Sequence, residues 1–177
     1  TTDGFFLYMP RASEHGNFDG YDGITEFYQS RCTAFIRYAL DAAGIDSAPY
    51  EERLAQSERA LLSMYRAEGT KDLRMECKRW YWQSQYEVAS SGFDAYALAH
   101  SRESVAATAL HNLFYQVRRH FADGYLRSHI GAPVNFQCPI FWTAHLAWML
   151  RIAGVQEGFD AAESPRPFSY RFTGSEV

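Results

Sequence analysis

From Pro139 to about Ala153 the chain is apolar on most sides of a helix, through Ile140, Phe141, Trp142, Leu146, Trp148, Met149, Leu150 and Ile152. Such a helix is stable when other elements surround it, so this segment predicts a helical bundle with the segment at its centre. The apolar run from Pro139 to Leu150 carries His145 and falls short of the ~20 residues that a bilayer core demands. Pro139 suits a first helical turn, where a missing N–H costs nothing, and Gly154 suits the stop.

Helical spacing recurs along the rest of the chain. A first helix is expected from Asp22–Ile24, with Tyr28, Cys32, Phe35, Ile36 and Ala39 on its buried face and Gly44 as its stop. Ser47 is placed to cap a second, with Pro49 and two glutamates following. Its stripe is Leu54, Leu61, Leu62 and Tyr65, and Gly69 ends it. Thr70 opens a third, carrying Leu73, Cys77, Trp80, Tyr81 and Val88 up to Ser90-Ser91-Gly92. Residues 93–100 read as a short helical turn. Ser101 then caps a fourth helix with a stripe of Ala106, Leu110, Leu113, Phe114, Val117 and Phe121, stopped by Asp123-Gly124. The connections are short, which favours antiparallel packing of neighbours. The expectation is an all-α, single-domain bundle of about five helices over residues 1–177. Residues 1–23 and 155–177 read as loop-like or extended flanks. Phe168, Tyr170 and Phe172 alternate as in a strand and face residues 5–9 as the possible halves of a small two-strand element from the termini.

A chain of 177 residues suits one core. Aromatic residues make up 16% of it, with 13 Phe, 12 Tyr and 4 Trp, enough to build that core and to line a binding surface as well. Formal net charge is −4, against the basic surplus that phosphate contacts require, so nucleic acid is not the expected partner. Lys78-Arg79-Trp80-Tyr81-Trp82 interleaves basic and aromatic residues, but Trp80 and Tyr81 fall on the buried stripe. Trp82 stands on the other face and is the candidate for contact with a protein partner. Three cysteines without motif spacing give no disulfide framework and point to a reducing, cytoplasmic setting. The six histidines lack the spacing of a helical metal site, and neither a phosphate-binding glycine loop nor Gly-x-Ser-x-Gly occurs. No metal and no particular cofactor is implied.

Two constellations carry chemistry. His111 and Tyr115 on the fourth helix, opposed to Phe141, His145 and Trp148 on the fifth, have the composition of a ligand site, an apolar wall with a few polar groups. They support a binding domain for a small ligand or a protein partner, without turnover. A regulatory or inhibitor protein acting on such a partner is a related reading.

The second is Ser30-Arg31-Cys32-Thr33-Ala34-Phe35-Ile36. From Cys32 to Gly44 it resembles the nucleophile helix of the papain-like peptidoglycan amidases: a cysteine, a small polar residue, a small residue, an aromatic and a branched aliphatic. The resemblance covers about a dozen residues and implies a cysteine-dependent hydrolase or amidase with Cys32 as nucleophile. His129, on the non-helical Ser-His-Ile-Gly, is the histidine to pair with it. A helix that begins near Asp22 gives another role, with Cys32 in mid-helix among packed neighbours.

Overall fold

Small residues decide which helix occupies the middle. The computed structural model describes residues 4–6, 26–69, 71, 88, 90–127 and 137–171. Among them are six α-helices: α1 (Glu26–Ala43), α2 (Glu51–Ser63), α3 (Ser91–His100), α4 (Ala106–His120), α5 (Gln137–Ala153) and α6 (Gln156–Asp160). A 3-10 turn, Ala48–Tyr50, leads into α2. The third helix expected from Thr70, the start of the first near Asp22, and both Trp82 and His129 lie outside the described residues.

The central helix is α3, not α5. Every residue from Ser91 to Leu98 is buried, and α3 packs on α1, α4 and α5. Ser91, Gly92, Ala95 and Ala97 keep its surface thin enough for neighbours to approach on several sides. At Gly92 the backbone of α5 comes close. A Cβ there would stand 2.8 Å from the backbone of His145 and Leu146. Helix α5 buries Trp142, Leu146, Met149 and Leu150 against this core but leaves Ile140, Phe141, Trp148 and Ile152 exposed. Its all-round apolarity therefore serves an outer face as well as an inner one.

Helix α1 also departs from its pattern. Phe35 and Ile36, expected inside, are exposed. The buried face is instead Gln29, Ser30, Thr33, Ala34 and Arg37. Polar groups can be buried when every one finds a partner, and here α2 and the residues around α3 supply them. Arg37 donates through Nε and Nη2 to Glu58 Oε1 at 3.1 and 2.6 Å. Thr33 and Gln29 share Ser57 of α2. Lys71 Nζ donates to Ser30 at 2.9 Å, hydrogen-bonds Ser90, and pairs with Asp94 at 2.7 Å, with Lys71 and Asp94 almost wholly buried.

The flanks are held by buried carboxamides. Gln29 accepts from Phe6 N at 2.8 Å and donates to Gly4 O at 3.1 Å, so one side chain pairs with the segment as a neighbouring strand would. Asn112 of α4 does the same to Arg166, accepting at 2.7 Å and donating at 2.8 Å. Phe168 and Tyr170 then pack on the main core in non-strand conformation.

The domain's small sheet lies elsewhere: β1 (Phe121–Ala122) pairs antiparallel with β2 (Tyr125–Leu126) directly after α4. Its turn, Asp123-Gly124, has φ of 53° and 80°, the conformation that Asp-Gly favours in tight hairpins. Within the C-terminal flank, residues 156–160 form α6. Ser101 ends α3 rather than opening α4, and Ser47 donates its hydroxyl to Glu51 rather than accepting from a backbone N–H.

Replacing Gly92 with alanine should force α3 and α5 apart. Overpacking of this kind costs about 1–3 kcal/mol, read as a lower urea midpoint with helical circular dichroism retained. An unchanged midpoint would mean that the helices do not touch at Gly92.

Candidate functional site

The exposed sides of α1 and α5 meet above α3 and form one aromatic strip. On α1 the residues are Arg31, Phe35 and Tyr38, at steps of four and three. On α5 they are Phe141, His145 and Trp148, at the same steps. Residues so spaced share a helix face.

The two rows run in the same direction and in register. The guanidinium of Arg31 lies over the Phe141 ring at 5.5 Å and over Phe93 at 5.4 Å. Seven residues further along both helices, Tyr38 meets Trp148 edge to face at 5.3 Å. Between these ends, Phe93 of α3 is wholly buried and forms the floor. Phe35 and His145 each approach it, with ring centroids 5.0 Å away. His145 also stacks on Phe141 at 3.8 Å. Edge-to-face and tilted contacts of this kind bring the positive ring edge to a negative ring face, which fixes orientation beyond simple burial. Tyr96, next to Tyr38, donates its hydroxyl to Asp41 at 2.9 Å. Burial, and the Asp41 carboxylate it serves, push its pKa well up.

His145 Nδ1 lies 2.8 Å from the carbonyl oxygen of Phe141. A carbonyl only accepts, so Nδ1 carries the proton. In that tautomer Nε2 is an acceptor, and it has no hydrogen bond among the described residues. His100 and His120 bond back in the same way, at 2.8 and 2.7 Å, to the carbonyls four residues before them. The strip therefore offers ring faces and edges, one guanidinium held between two rings, and one imidazole acceptor.

Phe141, His145 and Trp148, expected as one site, are together. His111 and Tyr115 have other surroundings. His111 Nε2 is 2.8 Å from the Ser164 carbonyl, which ties the C-terminal flank to α4. Tyr115 lies beneath Arg119, 5.6 Å from the guanidinium carbon. Sequence reasoning missed Arg31, Phe35, Tyr38 and Phe93 as members of the strip. The step of four and three from Arg31 was visible, but Phe35 read as core.

Cys32 sits on α1, half-buried and outside any disulfide. Burial pushes its thiol pKa up, and the neighbouring Arg31 only partly offsets this. A nucleophilic cysteine needs the opposite shift and a base within reach. Among the described residues no hydrogen bond joins Cys32 to a histidine, and no group of three or more His, Cys, Asp or Glu could hold a metal. Among them, too, no helix is long and apolar enough to cross a membrane. Comparison with family models, curated proteins and solved structures returned no match.

A raised pKa leaves less thiolate at neutral pH. Cys32 should thus alkylate with iodoacetamide more slowly than free cysteine at pH 7, its rate rising at a pH above that of the free thiol. Peptide mapping after timed quenching reads this residue apart from Cys77 and Cys138. Faster modification than free cysteine would restore the nucleophile reading.

Proposed function

We propose that this chain is a binding module that takes the apolar face of a protein partner's helix along the α1–α5 strip. The observation that carries this reading is the exposure of four large apolar side chains in one place. Phe35 is 39% exposed, Phe141 37%, Trp148 41% and Ile152 37%. Single exposed apolar residues are ordinary, whereas a contiguous cluster of them marks an interaction surface.

The shape favours a helix. From Phe141 to Ile152 the outward row of α5 spans three turns, about 16 Å at 1.5 Å per residue. An amphipathic helix presents its anchors at the same spacing and can lie along such a row. Rigid aromatic anchors suit this role, because they give large contact area for few rotatable bonds, and tryptophan and arginine concentrate at binding hot spots. The strip's side chains are already fixed by contacts with one another, which lowers the ordering cost of association.

The experiment is selection from a displayed library of amphipathic helical peptides, followed by titration of the winners. Binding to the native protein should weaken about tenfold or more in Trp148→Ala and Phe141→Ala, since hot-spot truncations cost upward of 2 kcal/mol. Circular dichroism should stay native, as both side chains are partly exposed. Selected peptides that bind both variants as well as the native chain would overturn the proposal.

A further inference from the structure

On the other side of α1 from the strip lies a cavity of about 270 Å³ between the N-terminal segment, α1 and α2. Its described lining is Gly4, Phe5, Phe6, Ile36, Tyr50, Arg53, Leu54, Gln56 and Ser57. Leu54 and Ser57 are buried and form its base, while Ile36, Tyr50 and Arg53 are exposed and form its rim.

The wall is built in advance. Gln29 holds both Gly4 and Phe6 through its one carboxamide, as described above. Gly4 has a φ of +84° and lies so close to the Gln56 carbonyl that any side chain there would overlap it. The segment is therefore seated against α2 by backbone fit, and Phe5 and Phe6 are carried with it.

Polarity divides the cavity in two. Ser57 is the one polar side chain at the base, and its hydroxyl is already taken by Gln29 at 3.1 Å and Thr33 at 2.5 Å. Nothing at the base demands a polar ligand atom. At the rim, Arg53 has a single hydrogen bond among the described residues, Nη1 to the neutral Gln56 Oε1 at 3.1 Å, and no carboxylate partner. The nearby Glu51 is turned away to Arg37 and Ser47. A permanently charged guanidinium without a counter-charge beside an apolar hole fits one kind of ligand.

We infer that this cavity binds a small amphiphilic monocarboxylate, its apolar body inserted toward Leu54 and its carboxylate on Arg53. At roughly 30 Å³ per water-sized volume, the space holds on the order of nine non-hydrogen atoms. That is the size of a medium-chain or simple aromatic acid. The site is independent of the helix-binding reading, because it shares no residue with the strip.

The probe is sodium octanoate, titrated into the full chain by calorimetry below its micelle concentration, with octan-1-ol and octyltrimethylammonium beside it. The expected result is saturable 1:1 binding of octanoate, with the alcohol weaker and the cation absent. Arg53→Gln should weaken octanoate about tenfold or more, because a charge-assisted bond is lost. Ile36→Trp should block it by filling the mouth. Both positions are exposed, so the fold should hold. Trp148→Ala should leave octanoate binding as it was. Three results would overturn the inference: no saturation, affinity that survives Arg53→Gln, or affinity that is lost with Trp148.

Discussion

The ion pair between Arg37 and Glu58 sets the orientation of α1, and much of the molecule's surface follows from it. Both side chains are more than nine-tenths buried, and Arg37 makes two hydrogen bonds to one carboxylate oxygen. Burial lowers the arginine's pKa, but Glu58 and Glu51 outweigh it and raise it overall. Burial pushes Glu58 upward, against the pull of Arg37. Two charges removed from water attract strongly only in good geometry. A rotation of α1 that inserted Phe35 would strand one or both of them. The helix is therefore locked with its polar row inward, and its aromatic row is left at the surface beside α5.

The same logic governs the rest of the interior. Lys71 and Asp94 tie the chain before α3 to α3 itself, and Ser30 brings α1 into that cluster. Gln29 and Asn112 hold the two flanks by pairing with both a backbone N–H and a backbone carbonyl. This domain buries amides and charges where aliphatic packing is the more usual solution. Partnered groups of this kind favour one arrangement, since a misplacement leaves a donor or acceptor unpaired. The specificity has a surface consequence, because Phe35, Phe141 and Trp148 are left exposed in the strip and Tyr50 at the cavity.

Among the described residues, α1, α2, α4 and α5 were legible from the sequence, and so was much of the α5 half of the candidate site. Phe141, His145 and Trp148 are on one face because their spacing requires it. Gly44 and Gly154 also fell where α1 and α5 end, whereas α2 ends at Ser63, well before Gly69, and Asp123-Gly124 turns a hairpin after α4 has already ended at His120. What could not be read was the direction each face points. Apolar periodicity in α1 named Phe35 and Ile36 as core, and a hydropathy pattern cannot register that Arg37, Thr33 and Gln29 have partners fifteen to thirty residues away. For the same reason α3 looked like a minor turn. Its ten residues are weakly patterned because they are buried on every side, and their importance lies in the small size of Gly92 and its neighbours. The grouping of His111 and Tyr115 with His145 rested on composition, which carries no distance.

The most direct test of this account is a double-mutant cycle on the pair that orients α1. Stability would be measured by urea unfolding at neutral pH for Arg37→Met, Glu58→Leu and the two together. Removing one partner of a buried pair should cost about 3–5 kcal/mol, whereas replacing both by apolar residues should restore most of that loss. A large coupling with a rescued double variant is the predicted result. Two small and additive losses would show that α1 takes its orientation from something other than this pair.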